Sequence, residues 1–138
     1  MSDLPLQFQN VSFTYDRATQ PIIRNLSAHF TPGWTGIVGA NGVGKSTILK
    51  LATGNLEPGQ GRVQIPEFAI YCPQRTDNAP DQLVDLISSM DGEAFEIKGR
   101  LGVEDDWIQR WTTLSHGERK RVCIGGYYFD FDQQILYA

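Results

Sequence analysis

The 138-residue sequence predicts an α/β fold with antiparallel strands near its N-terminal end and a small helical lobe beyond its middle. Three features lead there. Residues Leu6 to Tyr15 alternate apolar and polar side chains in two runs, the period of a half-buried strand. A short apolar run, Trp34 to Val38, enters a glycine-rich loop, after which Ile48, Leu49, Leu51 and Ala52 recur at helical spacing. From Asp81 to Met90 the apolar residues stand at 83, 84, 86, 87 and 90, one face of an amphipathic helix.

Each element has a local reason. The two alternating runs of the first strand change phase at Asn10, which predicts a bulge or bend. Residues 16 to 20 are polar and turn-like, and Pro21 to Phe30 supply one or two further strands before the Pro32-Gly33 turn. The sequence Pro58-Gly-Gln-Gly61 turns the chain into a brief strand, Arg62 to Ile65, stopped by Pro66, and Phe68 to Cys72 form another, closed by Pro73. Phe95 to Trp111 add a second helical stretch, interrupted by Gly99 and Gly102. Arg119 to Ile124 read as a helix, and the tail ends in the strand-like Ile135 to Tyr137.

Composition narrows the function classes. With 41% hydrophobic and 20% charged residues the chain is too apolar for general disorder. Twelve Lys and Arg against 16 Asp and Glu leave a formal charge of -4, which argues against a broad nucleic-acid surface but allows one local anion site. Cys72 and Cys123 have neither zinc-module spacing nor the density of a secreted disulfide scaffold, so a reducing, cytoplasmic setting is expected. The start shows no secretory leader, and no stretch is long and apolar enough to insert in a membrane.

The strongest chemical signal is Gly39 to Ser46, which matches Gly-x-x-x-x-Gly-Lys-Ser. Glycines let a backbone curl until consecutive N–H groups point into one concavity, and the opening of a helix adds further unpaired donors. Gly39, Asn41, Gly42 and Gly44 are therefore expected to cradle phosphates. Lys45 is expected to reach the β- and γ-phosphates, Ser46 to ligate Mg²⁺, and Thr47 to begin the helix near the α-phosphate.

With that loop in place, the chain resembles the nucleotide-binding domain of ABC ATPases over nearly its whole length. Gly-Ala-Asn-Gly-Val-Gly-Lys-Ser-Thr at 39 to 47 is similar to Walker A, Gln74 in Tyr-Cys-Pro-Gln falls at the Q-loop, and Leu114-Ser-His-Gly-Glu falls on the signature. The resemblance implies a P-loop NTPase core of ABC type with ATP and Mg²⁺ as ligands. It makes Tyr15 the aromatic that stacks on adenine and Gln74 a contact to Mg²⁺ or the attacking water, while Ser115 and Gly117 face the γ-phosphate held by a second domain. Residue types alone leave simpler roles open: Tyr15 as a strand aromatic, Gln74 as a turn residue, and Ser115 as a helix N-cap boxed with Glu118. The basic run Arg119-Lys-Arg121 reads as a solvated helix face. His116 departs from the glycine usual at its position and adds bulk there.

On this reading residues 1–75 form the nucleotide-binding core, 76–115 the helical lobe, and 116–138 the signature helix with an incomplete strand. The chain stops where the family's Walker B acids are expected; Asp130 and Asp132 precede that place. The resemblance implies pairing with a second nucleotide-binding domain, with hydrolysis expected of the complete domain. The short lobe and Leu-Ser-His-Gly-Glu favour a ribosome-associated ABC-F type; a transporter subunit bound to a separate permease and a non-catalytic pairing module are the alternatives.

Overall fold

The computed structural model describes residues 4–67, 69–130 and 135–137. It divides into two compact units, residues 1–71 with 136–138, and residues 72–135.

In the first unit, β1 (Leu6–Phe13) is the centre of a three-stranded antiparallel sheet, between β2 (Ile23–Phe30) and β3 (Gln60–Gln64). The expected break at Asn10 is present. Asn10 has φ +49°, the pairing shifts between Phe8 and Val11, and Val11 thereby returns to the buried face that Leu6 and Phe8 occupy. Asn25 on β2 has φ +45°, and side chains serve both bulges: Asn10 N–H donates to Ser27 Oγ at 3.0 Å and Asn25 N–H to Ser12 Oγ at 2.9 Å. Gly61, at φ +78°, passes so close to β1 that a Cβ there would sit 2.2 Å from the Asn10 carbonyl oxygen. Pro21 to Phe30 yield one strand, not two.

Helix α1 (Lys45–Ala52) closes this core by burying Leu51 and Ala52 with Leu6, Phe8, Val11 and Ile23. The predicted strand at 34–38 is not formed, and Trp34 and Val38 are 94% and 93% exposed. A continuous apolar run is buried as a strand only where neighbouring strands cover it, and the described sheets are β2-β1-β3 and a two-stranded pair later in the chain. Two short strands, β4 (Ile70–Cys72) and β5 (Ile135–Tyr137), pair with each other.

The second unit is helical. α2 (Gln82–Ser88) and α3 (Gly92–Leu101) bury Leu86, Ala94 and Ile97 together, and Gly102 at φ +64° ends α3. The second helical stretch is thus shorter than its sequence suggested, and its remainder is turn followed by a 3-10 turn at Trp111–Thr113. α4 (His116–Asp130) starts earlier and runs further than expected, through Gly125 and Gly126. Gly125 makes room for packing, since a Cβ there would meet Leu101 Cδ1 at 2.6 Å, whereas one at Gly126 would make only an ordinary contact with Gln82 Cβ at 3.4 Å. Asp132 lies outside the described residues. No described helix is long and apolar enough to cross a membrane.

Candidate functional site

The loop between residues 39 and 44 leads directly into α1, as its glycine spacing requires. Gly42 and Gly44 take φ +80° and +111°, the left-handed region that side-chain-bearing residues avoid. Gly44 is fixed by space as well, because a Cβ would lie 2.9 Å from Ile23 Cδ1. Helix α1 begins at Lys45, two residues before the start expected at Thr47, because the positive-φ Gly44 serves as the cap. No side chain caps it and its first turn holds no acidic residue, so the N–H donors of that turn meet the loop with no competing carboxylate. Lys45 Nζ reaches back over the loop and donates to the carbonyls of Gly39 and Ala40. Gly39, Asn41, Gly42 and Ser46 are exposed and Lys45 is half-buried. Exposed donors, one lysine and an exposed hydroxyl form a set that fits a polyphosphate with Mg²⁺.

Thr47 is different. It is buried, and its Oγ1 lies 2.9 Å from the hydroxyl of Tyr15. The Tyr15 ring also meets Phe13 edge to face, with centroids 4.9 Å apart and planes at 89°, yet remains 38% exposed. Tyr15 is thereby tied to the first turn of α1, directly behind the phosphate loop. Nothing in the residue spacing signalled this bond, which joins positions 32 apart.

In the second unit Gln74, Arg75, Thr76, Asp77, His116, Gly117 and Lys120 line an open depression of about 760 Å³. Gln74 is thus gathered with the signature-like residues. Ser115 caps α4 through reciprocal bonds with Glu118, whose carboxyl is held below its ordinary range chiefly by the Ser115 backbone N–H. His116 and Gly117 follow in the first turn of α4.

The basic run is a solvated face only in part: Arg121 is exposed, whereas Arg119 and Lys120 are half-buried. Arg119 donates to the carbonyls of Trp111 and Thr112, Lys120 to that of Pro73 at 2.6 Å, and Arg121 to that of Leu101. Each cation satisfies chain ends that α4 must pass, which a charge count cannot reveal. Arg75, by contrast, is exposed beside Asp77 at 3.5 Å. Among the described residues no three His, Cys, Asp or Glu side chains gather as a metal cluster. Both thiols are buried, and burial pushes Cys123 up to about 11.

Comparison with known proteins agrees with this architecture. The ABC transporter family profile matches residues 23–132. The energy-coupling factor transporter ATP-binding protein EcfA1 of Halalkalibacterium halodurans is 41% identical over 149 aligned positions, covering 88% of this chain and 54% of that protein. The chain spans about half the length of the curated relatives that it matches over most of its own length. Among solved structures, cbiO1 of Clostridium perfringens, part of the transporter complex cbiONQ, superposes with a TM-score of 0.65 at 23% identity, covering 92% of this chain and 62% of that one. A dimeric ATP-binding cassette bound to ADP and Pi gives 0.66 at 20% identity, over 88% of this chain and 68% of that one. The phosphate loop opening α1, the antiparallel strands beside it and the profile match together show that the chain belongs to the ABC transporter family, with the P-loop fold of its ATP-binding domains.

Proposed function

We propose that this chain binds ATP with Mg²⁺ and serves the ATPase subunit of a membrane transporter. The observation that carries the proposal is the loop from Gly39 to Thr47, with its left-handed glycines, a helix start free of any side-chain cap, and overarching Lys45. Gly39, Asn41, Gly42 and Gly44 supply the backbone cradle, Lys45 the charge for the terminal phosphates, and Ser46 a hydroxyl ligand for the metal, with Thr47 beneath the loop. Bound Mg²⁺ supplies charge neutralisation to the phosphate oxygens. Tyr15 offers the exposed aromatic surface for adenine.

Ser115 and Gly117, at the start of α4, are assigned to the nucleotide held by a second domain, and Gln74 to Mg²⁺ or water at its own. Hydrolysis belongs to the paired, full-length protein, because phosphoryl transfer needs charge stabilisation beyond a phosphate cradle. EcfA1 is named as the ATP-binding protein of a transporter and cbiO1 as part of a transporter complex, which supports a membrane permease as the further partner. They lend no support to a ribosome-associated ABC-F role, which rests on the short lobe and Leu114 to Glu118 alone. Work at the cytoplasmic face follows from the same proposal.

Sedimentation of the full-length protein, with and without Mg²⁺ and ATP, tests the pairing. A shift to a dimer in ATP, lost in Lys45→Ala and in Ser115→Arg, is expected. A sedimentation profile indifferent to ATP in protein that binds it would reject pairing through these residues.

A further inference from the structure

The bond between the Tyr15 hydroxyl and Thr47 Oγ1 connects the turn after β1 to the first turns of α1. Both ends are anchored independently. Thr47 is only 3% exposed on a helix whose next buried residues, Leu51 and Ala52, lock into the sheet core. Tyr15 leaves the strand through a turn closed by Ala18 N–H to the Tyr15 carbonyl at 2.8 Å, and Phe13 supports the edge of its ring at 4.9 Å. The neighbouring strand start is held in register by Ile22 N–H donating to the Phe13 carbonyl at 2.9 Å.

A tyrosine side chain turns about two torsions, and the Phe13 contact alone leaves the ring able to swing along its edge. A hydrogen bond at the far end of the ring removes that freedom. We infer that Thr47 is a positioning residue, whose hydroxyl holds the Tyr15 ring at a set distance from the phosphate loop and so makes base platform and phosphate cradle one measuring unit for a nucleoside triphosphate. This rests on the ATP-binding reading above and adds to it a residue that acts through another.

The proton count allows the arrangement. Each hydroxyl donates once and accepts twice, so whichever of the two donates across the pair, one O–H proton remains for a further acceptor. The bond is partly buried, where water competes poorly for it. Fixing the ring before ligand arrives spares the ordering cost that a mobile aromatic would incur on binding.

The test compares two probes, Mg²⁺–ATP and inorganic tripolyphosphate, on the chain and its variants. A hydroxyl that served only the phosphates or the fold would lower both affinities together, whereas one acting through Tyr15 lowers the ratio of ATP to tripolyphosphate affinity. Thr47→Val and Tyr15→Phe are each expected to lower that ratio about 2- to 12-fold, the range of one net hydrogen bond. The double variant should fall no further than either single one, and Thr47→Ser should restore the ratio. A ratio unchanged in both single variants, or losses that add in the double variant, would overturn the inference while leaving ATP binding intact. Wild-type protein that binds neither probe would instead reject the ATP-binding reading itself, and this inference with it.

Discussion

Ser115 and Glu118 hold each other's backbone: the Ser115 N–H donates to Glu118 Oε2 at 2.7 Å, and the Glu118 N–H donates to Ser115 Oγ at 3.2 Å. This closed capping box starts α4, the longest described helix, and satisfies donors that would otherwise be left over at its end. Ser115 thus has a folding role whatever it does toward a nucleotide. Ser115→Ala should lower the unfolding free energy by about 1 kcal/mol, read from a denaturant midpoint at constant slope. Because Glu118 is held below its ordinary value, its contribution is present above the unfolded-chain value and is lost as the pH falls through the folded one. The stability difference between wild type and Glu118→Gln should therefore shrink on going from about pH 7 to about pH 3.

Two glycines should respond oppositely to alanine. At Gly61 the backbone is left-handed and a Cβ would collide with the carbonyl oxygens of Asn10 and Gln9, at 2.2 and 2.4 Å. Neither is a movable side chain, so Gly61→Ala should cost more than about 1 kcal/mol. Gly99 lies in α3 with nothing within 4 Å of its Cβ position, and Gly99→Ala should stabilise by up to about 1 kcal/mol. Thermal unfolding of the two variants checks both signs.

Lys120 and Arg75 both border the depression at the start of α4, yet only one should matter to folding. Lys120 satisfies the Pro73 carbonyl in a partly buried place, whereas Arg75 is 89% exposed. Lys120→Met should destabilise by about 1–3 kcal/mol by stranding that acceptor. Arg75→Met should stay within about 0.5 kcal/mol of wild type.

The thiols offer a chemical reading of burial. Cys123 is pushed up to about 11 by desolvation, and Cys72 is raised for the same reason against the lowering effect of Lys120. Near pH 8, thiol reagents should leave both unmodified in folded protein and label both in denaturant. A thiol whose folded value is raised stabilises below its unfolded value, so stability should decline as the pH climbs from about 9 through about 11.

How far the sequence could be read depended on whether a feature is local. The bulge at Asn10, the phosphate loop, the buried face of α2 at Leu83 and Leu86, and the box at Ser115 and Glu118 all rest on neighbours within a few residues and were legible, although α2 ends at Ser88 and leaves Val84 and Met90 of its expected apolar face exposed. The run from Trp34 to Val38 was misread because burial of an apolar run depends on strands elsewhere. Arg121 is exposed as its composition suggests, but the half-burial of Arg119 and Lys120 was not legible, because the carbonyls they serve come from other segments, at Trp111 and Pro73. At the candidate site the loop residues were legible as a motif, but the Tyr15–Thr47 bond spans 32 positions and leaves no periodic trace. The continuation of α4 beyond Ile124 was not legible, because Gly125 serves close packing against Leu101, a tertiary demand.

The most direct test of ATP binding at residues 39 to 47 is a titration of this chain with a fluorescent ATP analogue in Mg²⁺, beside Lys45→Ala. Saturable binding by wild type, lost in the variant while its circular dichroism stays unchanged, is the predicted result. Binding that survives Lys45→Ala undiminished, or no binding by folded wild-type protein, would contradict it.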